Sequence, residues 1–225
     1  PISVADGGGD DLSQRRGDKK VAILDALYGM AEKAAPLFEE TVRTALKEAG
    51  VDDQKVFKLP PLKKRARAGE KAKNEYKGDI SRLVDIVRGS CIFDSAEDLV
   101  AFHDALMQNK GIRIARLKNR FAPPLFNGYR DFLMNFSVVM PSGEAFICEL
   151  QLHHAKIKDS EALLKSHTIY EFFRAYFSGN MKAVEERLET LLKLPVEGVN
   201  KIEELVSKVL HIFSESITDL QNLKA

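Results

Sequence analysis

The order of apolar patterns along this chain predicts an α+β domain, a mixed β-sheet with helices packed on it. Three observations carry the prediction. Apolar residues recur every three or four positions after residue 19, two β-branched and aromatic runs flank a turn at residues 141–144, and helical spacing returns after residue 157.

Residues 1–18 are rich in Gly, Asp and Arg and read as a disordered leader with no packed role. The remainder, 19–225, reads as one domain: an N-terminal helical segment 19–55, a core at 60–178 and C-terminal helices over 179–225. Ile23, Leu24, Leu27, Met30, Ala31, Ala34, Leu37, Phe38 and Val42 form the buried stripe of a helix running from Lys19 to about Ala49, with Gly50 as its end signal. Leu59-Pro60-Pro61-Leu62 breaks any helix and leads into a basic, Ala-rich run. There, spacings of four place Lys63, Arg67 and Lys71 on one helical face. Asp79 is positioned to cap a helix carrying Leu83, Val84 and Ile86, and Ser90 to Phe93 follows as a short buried strand.

A second helix spans Ser95 to Gln108, ended by Asn109-Lys110-Gly111, and Ile112, Ile114 and Leu117 mark a strand. Residues 122–130 form a loop with Pro and Gly, apolar enough to be pinned. Phe132 to Met140 and Phe146 to Leu152 are two strands joined by the turn Pro141-Ser142-Gly143-Glu144. Helices are expected over Ile157 to Phe177, Met181 to Leu192 and Val199 to about Leu223. The last has a long apolar stripe that needs a surface to cover, which makes oligomerisation through the C-terminal helices one option.

Composition narrows the class. The 225 residues are 44% hydrophobic and 30% charged, which fits one folded domain and leaves little room for long disorder. Cys91 and Cys148 lie among apolar neighbours and read as buried free thiols. No apolar run approaches the roughly 18 residues of a membrane span, so the expectation is an intracellular, cytoplasmic protein with no membrane partner. Thirty-four Lys and Arg against thirty-three Asp and Glu give a net charge of +1, which excludes a strong overall attraction to nucleic acid but not local patches.

Two such patches stand out. Residues 63–77 hold seven basic and two acidic side chains, and 110–130 hold Lys110, Arg113, Arg116, Lys118, Arg120 and Arg130 with no acid. Ordinary solvated faces are the plainer account of both, yet Arg120 and Arg130 flank an apolar loop, where a guanidinium needs a carboxylate or a ligand. Asp85 and Glu149 each interrupt an apolar stretch. They are either structural ion-pair partners of Arg88 and Arg130, or a platform for a hard divalent cation under a polyphosphate. Strand alternation puts Glu149, Gln151 and His153 on one side and Leu150 and Leu152 on the other. His153, His154 and His167 lack a zinc-site pattern, and no catalytic triad, Walker loop or dinucleotide fingerprint is present.

The ordered segments Asp79-Ile80-Ser81-Arg82-Leu83-Val84-Asp85-Ile86-Val87-Arg88-Gly89, Lys118-Asn119-Arg120-Phe121, Asn127-Gly128-Tyr129-Arg130-Asp131 and Glu149-Leu150-Gln151-Leu152-His153 resemble the RelA/SpoT-type alarmone synthetase domain. This is a divergent nucleotidyltransferase-like family that moves pyrophosphate from ATP to the 3′-hydroxyl of GDP or GTP. The resemblance covers roughly residues 60–178. It implies an Mg²⁺-dependent pyrophosphokinase with ATP and a guanine nucleotide as partners. On the same basis Asp85 and Glu149 are the catalytic and metal-binding acids, and Tyr129 stacks on the acceptor base. Lys118, Arg120, Arg130, Gln151 and His153 fall on the acceptor side; Lys63, Arg67, Lys71, Lys73 and Arg88 fall on the donor phosphates.

The chain departs from the family where Asp131-Phe132-Leu133 replaces a Ser-Leu-His type segment, and where Leu152-His153-His154 replaces isoleucine, arginine and threonine. Those differences touch the acceptor. The resemblance also implies an alternative that some relatives of the superfamily perform, transfer to a tRNA 3′ end with tRNA as partner and the basic stretch on its phosphates, and a further alternative is a noncatalytic nucleotide-binding or protein-interaction domain that keeps the fold.

Overall fold

The computed structural model describes residues 12–163, apart from 124 and 126–128. The chain divides into two compact units, Pro1–Gly179 and Asn180–Ala225. All described residues lie in the first, so the leader up to residue 11 and the helices expected beyond residue 163 lie outside them.

Helix α1, Leu24–Glu48, buries Leu27, Met30, Ala31, Ala34, Phe38 and Val42 as the periodicity predicts, and stops before Gly50. It starts later than Lys19 because residues 15–20 form a small hairpin, β1 (Arg15–Arg16) against β2 (Lys19–Lys20). This corrects the leader reading, since Gln14 is fully buried. Its side chain donates to the Ile147 carbonyl at 2.7 Å and accepts from the Ile147 N–H at 2.9 Å, and its backbone N–H donates to the Ser81 carbonyl. One polar side chain thus ties the chain start to the sheet.

Helix α2 (Asp53–Val56) and strand β3 (Phe57–Lys58) follow, and β3 has no counterpart in the sequence reading. Helix α3, Arg65–Tyr76, begins two residues after Lys63, so the single helical face expected for Lys63, Arg67 and Lys71 does not form. The helix expected over Leu83, Val84 and Ile86 is also absent. Asp79 caps a single 3₁₀ turn, Ile80–Arg82, through the Ser81 N–H, and an extended segment follows. Leu83, Val84, Ile86 and Val87 are all buried, whereas a helix would bury one stripe of them and expose the rest.

Strand β4 (Arg88–Phe93), helix α4 (Ala96–Gln108), strands β5 (Ile112–Asn119), β6 (Phe132–Val139) and β7 (Ala145–His154), and helix α5 (Ala155–Leu163) complete the described chain. The sheet order is β3-β4-β7-β6-β5, with β4 and β7 parallel and every other pair antiparallel. In the β6–β7 turn Gly143 takes φ 82° and donates to the Met140 carbonyl, a conformation few other residues adopt.

Helices α1 and α4 pack on one face of this sheet. Phe38 of α1 stacks on Phe136 of β6 at 5.5 Å, and Phe102 of α4 meets Phe93 of β4 at the same distance. Cys91 and Cys148 are buried free thiols in this core, pushed well above the usual thiol range by burial. Gly89 leaves room for two rings, for a Cβ there would lie 2.8 Å from Phe57 Cε2 and 3.0 Å from Phe38 Cε1. Gly89→Ala is expected to destabilise the domain by about 1–3 kcal/mol through overpacking. The measurement is urea unfolding; a midpoint equal to the wild-type value would show that the rings move aside without penalty.

Candidate functional site

The other sheet face carries the polar residues, and cross-strand register lines them up in rows. Arg116, Asn135, Glu149 and Arg88 stand opposite one another across β5, β6, β7 and β4, and Lys118, Leu133, Gln151 and Ser90 form the next row. A β-bulge between Ile114 and Arg116 makes the first row possible. Without that shift Arg116 would oppose Met134 and face the core; with it, Arg116 donates to Asn135 Oδ1 at 2.9 Å. Neither Arg116 nor Asn135 was singled out from the sequence as a site residue, because register is a long-range property.

Asp85 lies in the extended segment just before β4, not in a strand, and its side chain is 9% exposed. Its Oδ2 accepts from Lys63 Nζ at 2.5 Å and Lys71 Nζ at 2.7 Å, while the buried Oδ1 has no hydrogen-bond partner. Burial alone would raise this carboxyl, but Lys71 and Lys63 outweigh it and hold the value at about 2. The two ammoniums differ. Burial pulls Lys63 below its ordinary value despite Asp85, whereas for Lys71 the burial effect is overcome by Asp85, Tyr76 and Glu75. Arg88 donates to the Asp85 carbonyl oxygen at 3.4 Å, so the ion pair with Arg88 considered from the sequence is replaced by the two lysines.

Glu149 is half-buried in the middle of its row, with its N–H donating to the Val87 carbonyl. Burial raises its carboxyl and the nearby charge of Asp85 raises it further, against the opposing charges of Lys71, Arg116 and Arg120. The Asp85 charge therefore reaches Glu149. Arg67 and Lys73 are exposed, and Arg67 pairs with Glu70 at 3.4 Å.

A second cluster forms where β5 and β6 diverge. One step beyond the Asn119–Phe132 pair, Arg120 donates to the Asp131 carbonyl through its N–H and to both carboxylate oxygens through its guanidinium, at 2.5 and 2.6 Å. Asp131 is fully buried. The Tyr129 hydroxyl donates to Asp131 Oδ2 at 3.2 Å, its ring meets His153 edge-to-face at 6.0 Å, and Arg120 and Lys158 lie 5.4 and 5.3 Å from the ring centre. Tyr129 is thus half-buried and held by these contacts. Arg130 donates to the Phe121 carbonyl, Gln151 is half-buried and Lys118 is exposed. His153 is buried, and burial, then Lys158, lowers it to about 4, so it is neutral at neutral pH.

Solved structures share this architecture. Small alarmone synthetase 2 from Bacillus subtilis superimposes with a TM-score of 0.52 at 17% identity, covering 88% of this chain and 97% of that one. The chain has the fold of the RelA/SpoT synthetase domains. Small alarmone synthetase 1 from Bacillus subtilis, bound to its product pppGpp, aligns with a TM-score of 0.49 at 19% identity over 84% of this chain and 95% of that one. No protein-family model matches the sequence, and no curated protein matches it. The synthetase-like sheet brings Lys63, Lys71, Asp85, Arg88 and Glu149 to one region and Tyr129, Arg120 and His153 to another on the same face. No helix among the described residues is long and apolar enough to cross a membrane.

Proposed function

We propose that this protein is a pyrophosphokinase that transfers pyrophosphate from ATP to a ribose 3′-hydroxyl of a guanine nucleotide or related acceptor. The observation that carries the reading is the pair Asp85 and Glu149, near enough for the Asp85 charge to act on Glu149, with an unpartnered oxygen on Asp85.

The residues fit Mg²⁺. Among the described residues no group of three or more His, Cys, Asp or Glu side chains could hold a metal ion by itself. Two carboxylates with one open oxygen instead suit a hard cation that keeps waters and takes further oxygens from a nucleotide's phosphates. Asp85 and Glu149 would hold it, and when bound it supplies charge neutralisation on the transferred group.

In the reaction the acceptor 3′-oxygen bonds to the β-phosphorus of ATP, the bond from that phosphorus to the α–β bridging oxygen breaks, and AMP leaves. Glu149 takes the hydroxyl proton as general base. Lys63, Lys71 and Arg88 stand beside Asp85 to meet the ATP phosphates. Leu133, only 6% exposed, stands in the polar face opposite Gln151, so the acceptor side presents an apolar residue where the related pattern has histidine.

The test is incubation of the protein and Mg²⁺ with β-labelled ATP and, separately, GDP, GTP, ADP and tRNA. Label is expected on a nucleotide acceptor together with stoichiometric AMP. Label on tRNA alone would favour the tRNA alternative, and no transfer to any acceptor would favour a noncatalytic domain.

A further inference from the structure

We infer that Asp131 is a positioning residue for the acceptor: its buried carboxylate fixes the Arg120 guanidinium and the Tyr129 hydroxyl together, and so sets the ring that meets the acceptor's base. The inference rests on the proposed pyrophosphokinase reading, to which it adds a residue that the related sequence pattern does not supply.

Asp131 has no exposure and stands one step beyond the last β5–β6 pair, where the 121–130 loop leaves and rejoins the sheet. Three charge-assisted hydrogen bonds converge on it, two from Arg120 in a bidentate fork and one from Tyr129. Such a pair closes the neck of the loop and neutralises Arg120; burial works against the guanidinium's charge, and the Asp131 bonds and charge outweigh it. With its charge matched, Arg120 serves less as a phosphate contact and more as a fixed cation beside the Tyr129 ring. His153 supports the same ring at its edge and is neutral. The Arg120 and Asp131 charges cancel and Lys158 lies 5.3 Å from the ring centre, so the cluster offers an aromatic ring suited to a purine base.

A purely structural ion pair would predict stability changes alone, so the test reads ligands. Wild type, Tyr129→Phe, Asp131→Asn and the double variant are titrated with Mg²⁺ and three probes: GDP, ADP and the donor analogue AMPCPP. Tyr129→Phe keeps the Arg120–Asp131 pair and removes only the hydroxyl, so it remains informative if Asp131→Asn fails to fold. Tyr129→Phe is expected to weaken the preferred diphosphate several-fold, and Asp131→Asn about 10- to 100-fold. AMPCPP affinity should stay within about twofold, and the double variant should lose less than the product of the single losses. Unchanged diphosphate binding in Tyr129→Phe, or AMPCPP weakened as much as the diphosphates in Asp131→Asn, would overturn the inference while leaving the enzymatic reading intact. Wild type that binds none of the three probes would remove both.

Discussion

Glu149→Gln is expected to slow pyrophosphate transfer by about 10²- to 10⁴-fold, the range for loss of a general base, while leaving the fold at least as stable at neutral pH. The second half follows from the sign of its shift. Burial, then the Asp85 charge, holds the Glu149 carboxyl above its ordinary value in the folded protein. A carboxyl raised on folding makes its ionised form unfavourable to the native state wherever pH exceeds both values, and that disadvantage fades as pH falls through the folded value toward the unfolded one. Glutamine removes the disadvantage, so the variant's gain in melting temperature should be present at pH 7 and shrink in acid. Activity within tenfold of wild type would remove Glu149 from the chemistry, and a large drop in melting temperature at pH 7 would mean that its main role is structural.

Asp85→Asn should abolish transfer and, unlike Glu149→Gln, destabilise the domain. Lys63 and Lys71 are 15% and 16% exposed and share one carboxylate oxygen, so neutralising Asp85 takes the counter-charge from largely buried Lys63 and leaves Lys71 with Glu75 at 4.0 Å. Removing one partner of a buried pair typically costs about 3–5 kcal/mol, and the flexible lysine stems give the strain some relief toward the lower figure. The pH dependence is opposite in sign to that of Glu149. Asp85 is held at about 2 by Lys71 and Lys63 against its burial, below its unfolded value, so its contribution is complete above about pH 4 and is lost as pH falls from there toward 2. The stability gap between wild type and Asp85→Asn should therefore be widest above about pH 5 and close in acid. Equal stability at pH 7, measured by urea unfolding, would show that the lysines find other partners at no penalty.

The two variants are also coupled. Without the Asp85 charge one of the influences raising Glu149 disappears, so the gain in melting temperature from Glu149→Gln at pH 7 should be smaller in the Asp85→Asn background.

What the sequence determined by itself was local and periodic. Three- and four-residue spacing placed α1 and α4, β-branched and aromatic runs around the turn Pro141 to Glu144 placed β6 and β7, and alternation put Glu149, Gln151 and His153 on one side. Asp85 and Glu149 were visible because a charge inside an apolar run is costly to bury without a purpose. The tertiary structure decided everything that depends on pairing between distant segments. The bulge at Ile114 and Arg116 turned Arg116 toward Glu149, and Gln14 was drawn from the presumed leader onto β7. The segment 83–87 stayed extended because burial on all sides overrode its helical spacing. Arg120 found Asp131 only because β5 and β6 close the loop between them. Side-chain period is written in neighbouring residues, whereas register and ion-pair choice are set by which backbones meet, and that meeting is fixed only when the whole sheet forms.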